Sequence, residues 1–424
     1  MPSNVNPNAL LRSLFDVAVK SADPSQCVPP HLPAPPKGRT VVVGAGKAAA
    51  SMARAVEQHW PGEIDGIVVT RYAHAVPCQR IEVVEAAHPV PDQHGIDAAQ
   101  RILETVQGLS GDDLVVFLAS GGGSALLTAP GPGITLEDKQ DLNRALLKSG
   151  ANITEMNTVR KHLSALKGGR LALAAAPATV ITLAISDVPG DDPAVIASGP
   201  TVADATTVAD AHAVLTRYGI KPAASIAAFL TSASAETPKP GDARLNHAAF
   251  RMIATPMASL EAAAQLCRDN AIEPRILGDA LEGEAREVAA DQAALAKRLA
   301  AAMQPGDTPI ALISGGETTV TVRGNGRGGR NAEFLLALTI ALEGNPQVHA
   351  IACDTDGIDG SEDNAGAITT PTSLSRAKAA SIDAQACLSD NNGYTFFSTL
   401  NDLVMTGPTL TNINDFRAIV ITPP

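Results

Sequence analysis

From Thr40 onward, short apolar runs alternate with longer stretches of helical periodicity. This alternation restricts the fold more than any other feature of the chain. Strand-like runs occupy 40–43, 66–70, 81–85, 114–118 and 180–185, and helix-like patterns occupy 48–58, 92–108, 135–149 and 155–166. Such a β/α alternation predicts a mostly parallel sheet with helices on both faces. After a polar segment rich in Ser and Pro, 231–242, the pattern restarts. Strands are predicted over 251–254, 273–277, 310–314 and 348–353, and helices over 256–270, 284–302 and 331–342. The polar segment is therefore the expected domain boundary, and a final strand around 416–421 is able to pair in either domain. Before all of this, Leu10, Leu11, Leu14, Phe15 and Ala18 share one face of an amphipathic helix, joined to the first strand by a Pro-rich linker over 28–36.

Composition narrows the function classes. The 424 residues are enough for two domains, and 45% hydrophobic against 18% charged is globular. Aromatics are only 3%, so aliphatic side chains and alanine fill the cores. A net charge of -12 with no basic block argues against nucleic-acid binding. Five cysteines (Cys27, Cys78, Cys267, Cys353, Cys387) with no CxxC indicate neither a disulfide framework nor a zinc site. No run of about 18 apolar residues and no signal-like N-terminal core are present, so the expected compartment is the cytoplasm, with no membrane partner.

Glycine-rich turns carry the candidate chemistry. In Val41-Val42-Val43-Gly44-Ala45-Gly46-Lys47-Ala48-Ala49 a buried strand runs into a turn and then a helix. Amides at such a turn bind anions, and Gly44, Gly46 and Ala49 fit the weak dinucleotide pattern GxGxxG/A. Lys47 adds a full charge where a phosphate or carboxylate would sit. A second strand-to-helix turn holds Ser120, Gly121, Gly122, Gly123 and Ser124, where three glycines suit close approach to a ligand. A third region joins Gly315, Gly316 and Glu317 to Arg323-Gly324-Asn325-Gly326-Arg327-Gly328-Gly329-Arg330-Asn331 and predicts a mobile loop closing over a polyanion. Acidic loops follow two strands, one with Asp187 and Asp191, one with Asp354, Asp356 and Asp359. Ligands bind at such strand ends, and Mg²⁺ takes few protein carboxylates. Arg160, Lys161 and Lys167 lie near helical spacing, so some share a face; the plain alternative is a solvated helix face. His88 opens His88-Pro89-Val90-Pro91-Asp92, a rigid turn ending in an Asp N-cap, where a structural role outweighs binding of a carboxylate.

In this order the motifs resemble the class II glycerate kinase family, whose C-terminal domain is the MOFRL domain. The resemblance rests on Val43–Ala48, His88–Asp92, Ser120–Ala125, Asn157–Ser164, Ser186–Val188, Gly190–Asp192, Ala197–Thr201, Ser314–Glu317, Gly326–Asn331 and Thr355–Gly360. It implies MgATP-dependent phosphorylation of D-glycerate, usually to 2-phosphoglycerate. It implies a Rossmann-like doubly wound domain over 1–240, a smaller MOFRL-type α/β domain over 241–424, and a cleft between them as the active site. Lys47 and Arg330 fall where the family's proposed catalytic Lys and Arg lie. Ala332 departs from the Gln common in the family. Asp187, Asp191 and Asp356 are available to hold Mg²⁺ or accept the hydroxyl proton, and the residues alone do not rank them. We take Asp191 as a catalytic candidate and Asp187 and Asp356 as metal candidates. Arg160, Lys161, Gly315, Gly316, Glu317, Arg327 and Asn331 join the two glycine turns as substrate or nucleotide contacts. The sequence is compatible with a homo-oligomer but does not fix the state.

The competing reading is an NAD(P)-dependent hydroxypyruvate reductase using the first turn. It needs an acidic residue at the end of the next strand for the ribose. There the chain reads Val68-Val69-Thr70-Arg71-Tyr72, which offers no acid, although Arg71 suits NADP.

Overall fold

The computed structural model describes residues 6–424, which divide into two compact units. One is Pro24–Ile253; the other combines the residues up to Asp23 with Ala254–Pro424.

The first unit is built on a six-stranded sheet: β1 (Thr40–Ala45), β2 (Asp65–Arg71), β3 (Ile81–Ala86), β4 (Leu114–Ala119), β5 (Thr179–Ile185) and β6 (Ala248–Ala254). The strand order is β3-β2-β1-β4-β5-β6, with β1 to β5 parallel. Both β1 and β4 are buried along their whole length, which requires cover on both faces. Val41, Val43, Val115 and Phe117 share a core with Ala98, Ala99 and Ile102 of the helix Gln93–Val106. Val42 and Val116, at the intervening positions, face the other way and are equally buried. The order of strands reverses between β1 and β4, and the loops leaving both strands open there. Open α/β sheets bind ligands at such a reversal.

The second unit holds β7 (Glu273–Gly278), β8 (Ile310–Ser314), β9 (Val348–Asp354), β10 (Gly366–Thr369), β11 (Leu403–Val404) and β12 (Asp415–Ile421), in the order β11-β10-β9-β12-β8-β7. Only β7 and β8 pair in parallel; the other neighbours are antiparallel. The last strand is thus central to this sheet. The helix Pro7–Ser21, capped by Asn6 and started by Pro7, buries the five predicted apolar residues. They pack against Leu260, Ala263 and Phe416 of the same unit.

The division therefore falls at 253/254 rather than 240/241, and the N-terminal helix belongs to the second unit. The reason is tertiary. The polar segment expected to link domains is pinned inside the first unit: Arg170 donates to the carbonyls of Ser234 and Ala235, and Thr237, 3% exposed, bonds Asp204. The chain then adds β6 to the first sheet. Among the described residues, no helix is long and apolar enough to cross a membrane.

Candidate active site

The two glycine turns of the first unit leave adjacent strands and interlock. Gly46 sits at φ +141°, a backbone open to glycine, and a Cβ there would collide with Ser120. Gly44 lies within β1, where a Cβ would come 2.6 Å from the Leu118 carbonyl oxygen. The first turn spends its amides internally. Gly46 N–H donates to Val69 O at 3.1 Å, Lys47 N–H to Gly121 O at 2.8 Å, Ala48 N–H to Ser120 Oγ at 3.0 Å and Ala49 N–H to Gly46 O at 3.1 Å. The turn therefore has no ring of free amides for an anion. In the second turn Gly123 N–H donates to Ser120 O and Ala125 N–H to Gly122 O. Among the described residues, the N–H groups of Gly121, Gly122 and Ser124 have no acceptor.

Beside the second turn lies a cavity of ≈ 330 Å³ that reaches down to Lys167. Its cations come from three places. Lys139 and Arg144 lie on the helix Leu136–Ser149, Arg160 on the helix Ile153–His162, and Lys167 on the loop that follows; Arg144 is exposed and paired with Asp141. Lys167, 1% exposed, donates to Ser124 O at 2.5 Å. Arg160 donates to the Oδ1 of Asn143 and of Asn157. The Lys139 Nζ is enclosed and has no hydrogen-bond partner. Burial and the nearby Arg160 push Lys139 down to about 8, and burial with Lys139 and Arg160 holds Lys167 well below the usual lysine range. Among the described residues, no carboxylate lines this cavity. His88 lines the mouth, close against Gly122 and Lys47. Burial, then Lys47 and Arg71, push it down to about 4, so it is a neutral imidazole at physiological pH.

One predicted contact separates from this group. Lys161 turns away from Arg160, as adjacent helical residues do, and pairs with buried Asp204 at 3.3 Å. Asp187 and Asp191 lie in the loop after β5. Asp191 has φ +54°, and its buried Oδ1 accepts no hydrogen bond.

The second unit gathers charge around Arg330, at the first position of the helix Arg330–Leu342. Its Nε donates to Asp415 at 2.9 and 3.0 Å, Nη1 to Glu317 at 2.7 Å and Nη2 to Asp354 at 2.8 Å. Asp354 and Asp415 are 4% and 0% exposed in their side chains, whereas Glu317 is 54% exposed. Asp415 also accepts from Arg417 at 2.6 Å and Asn331 at 2.7 Å. The Asp359 carboxyl receives the Asn331 and Ala332 N–H groups at 2.9 Å at the positive end of the helix, while burial pushes it up to about 7. Asp356 Oδ1 accepts from Ile358 N–H. Among the described residues, no three His, Cys, Asp or Glu side chains gather as a metal site.

The Gly/Arg loop is not the free lid its composition predicts. The Arg323 and Gly324 N–H groups donate to Asn391 Oδ1, Asn325 N–H to Asp390, and Arg327 N–H to Asn392. Gly324 and Gly326 let this loop lie against 390–392. Arg327 pairs with Glu362 and stacks 4.3 Å from the Tyr394 ring. Gly315 and Gly316 pack under 278–281, with Gly315 N–H on Gly278 O. Ala332 is fully buried against Gly393, so in this chain the departure from Gln fills packing space.

Comparison with known proteins gives the same two-part division of motifs. A family described as "Domain of unknown function (DUF4147)" matches residues 10–231, and the MOFRL family matches 310–415. A chain of Agrobacterium vitis, named provisionally as a hydroxypyruvate reductase, is 56% identical over 99% of this chain and 95% of its own. D-glycerate 2-kinase of Thermotoga maritima is 40% identical over 97% of this chain and 98% of its own. The crystal structure of a glycerate kinase from Thermotoga maritima superposes with a TM-score of 0.89, at 40% identity, covering 98% of this chain and 99% of that one.

Proposed function

The chain belongs to the glycerate kinase family, and from that premise we propose that it transfers the γ-phosphoryl of ATP to the 2-hydroxyl of D-glycerate. The observation that carries the reading is the convergence, where the strand order reverses, of Lys47, unpaired amides of the second turn and a cavity lined by cations. Phosphoryl transfer asks a protein for position and for positive charge on the moving group. In this reading Lys47 stabilises the transferring phosphoryl, and the Gly121, Gly122 and Ser124 N–H groups donate to phosphate oxygens. Arg330 holds Asp354 and Asp415 in place, and its Nη1 turns to an anion only when exposed Glu317 yields.

Mg²⁺ commonly takes one or two carboxylates along with phosphate oxygens and waters. The buried, unpaired Oδ1 of Asp191 fits that demand, with Asp187 on the same loop; Asp356 fits less well, because its Oδ1 is spent on a turn. Bound there, the ion neutralises phosphate charge.

The reductase name of one relative draws no support from the first turn. A dinucleotide pyrophosphate needs its amides, which are spent on protein acceptors, and β2 ends in Arg71 with no carboxylate for a ribose. The test is ³¹P NMR of the product formed from D-glycerate and ATP with and without Mg²⁺. We expect 2-phosphoglycerate only with the metal. Product formed equally without a divalent ion refutes the metal assignment, and 3-phosphoglycerate refutes the choice of hydroxyl.

A further inference from the structure

We propose that the cavity beside the second glycine turn is the acceptor site, and that Lys139, Arg160 and Lys167 are the cations that take the glycerate carboxylate. The proposal rests on the kinase reading and names the residues that recognise its acceptor. Lys139 is the residue no motif assigns, and three observations point to it.

The first is an unbalanced charge. Lys139, Arg144, Arg160 and Lys167 line one cavity; Arg144 pairs with Asp141, and among the described residues no Asp or Glu lines the cavity to balance the other three. Desolvated like charges without a counter-ion are costly, so the fold keeps them at the expense of stability. Lys167 and Arg160 find neutral oxygens, whereas the Lys139 Nζ is enclosed without any partner. An anion supplies the missing acceptor.

The second is the chemical class of that anion. A triphosphate arrives with a divalent cation, which needs oxygen ligands. Ammonium and guanidinium groups set among apolar side chains such as Leu142, Val159 and Leu163, with no carboxylate among the described lining residues, repel that cation. A metal-free monoanion suits the site, and a carboxylate is the one the reaction contains. The ≈ 330 Å³ volume is at the small end of ligand pockets.

The third is the arrangement of neutral polar groups. Asn143 and Ser124 line the same cavity, and neutral His88 stands at its mouth against Lys47. A 2-hydroxy acid held by its carboxylate at the cationic end places its hydroxyls toward these groups, on the side where the glycine turns meet.

The experiment is to measure D-glycerate binding by calorimetry without nucleotide, alongside steady-state kinetics, for wild type, Lys139→Met and Lys139→Gln. Both substitutions are expected to weaken glycerate binding and raise its KM roughly 10- to 100-fold, the scale of one charged hydrogen bond. The KM for ATP stays unchanged, and the thermal midpoint stays level or rises because an enclosed, unpaired ammonium is gone. Unchanged glycerate affinity overturns the proposal. So does a rise confined to the KM for ATP, which reassigns the cavity to nucleotide phosphates, and so does a lowered midpoint, which gives Lys139 a structural role. Wild type that binds glycerate but releases no ADP refutes the kinase reading, while weaker glycerate binding by the variants still supports this one.

Discussion

Arg330→Lys is the substitution whose consequence follows most directly from the geometry. The guanidinium spans three carboxylates at 2.7 to 3.0 Å, each on a different nitrogen. One ammonium cannot keep that span. Asp415 retains Arg417 at 2.6 Å and Asn331 at 2.7 Å, so its loss is partial. Asp354 is 4% exposed and loses its Nη2 partner, while exposed Glu317 is solvated at little cost. Removing a partner from a buried pair costs about 3–5 kcal/mol, and a lysine that recovers one contact brings this to about 2–3 kcal/mol. For a unit of this size the melting midpoint then falls by roughly 4–12 °C. Arg330→Ala, which leaves the carboxylates facing one another, falls further. Thermal unfolding followed by circular dichroism reads the order wild type, Lys, Ala, and ADP-release kinetics at 25 °C read a drop in turnover of roughly 10- to 100-fold for Lys. A Lys variant with the wild-type midpoint and turnover refutes the carboxylate cage as drawn.

Two further substitutions test the first unit. Lys47→Ala keeps the wild-type midpoint and loses about 100-fold or more in kcat, the scale of an electrostatic transition-state contact; near-normal turnover returns Lys47 to a surface role. Gly46→Ala drives a Cβ into Ser120 at a backbone angle of +141°, so it unseats both turns together, lowering the midpoint and abolishing glycerate-dependent ADP release; a fully active, equally stable variant refutes the interlock.

Much of this architecture is legible in the chain because its elements follow from local pattern. The strands that begin at Thr40, Leu114 and Ile310 appear where apolar runs predict them, and the helix Pro7–Ser21 buries the same five residues its periodicity selects. The placement of each glycine turn after a strand follows from the same β/α alternation, whereas the pairing of β1 with β4 does not. What was not legible depends on partners distant in sequence. The Gly/Arg loop reads as mobile because its anchors, Asp390 to Asn392, lie some sixty residues on. Segment 231–242 reads as a linker because its use by Arg170 and Asp204 is tertiary. The short strands β10 and β11 are held by antiparallel pairing rather than by a strong local pattern. Lys139 does carry a signal in the sequence: it stands three and seven residues before Leu142 and Leu146, a cation inside the apolar stripe of its own helix. Arg160 and Lys161 show the converse, since neighbours along a helix point apart and only one reaches the cavity.

The central claim is phosphoryl transfer rather than hydride transfer, and one preparation of purified protein decides it. ADP release from ATP is measured with D-glycerate and Mg²⁺, and NADH and NADPH consumption is measured with hydroxypyruvate. ADP is expected only when glycerate, ATP and metal are all present, with no nicotinamide oxidised. Robust NAD(P)H consumption with no glycerate-dependent ADP contradicts it and assigns the chain to the reductase reading.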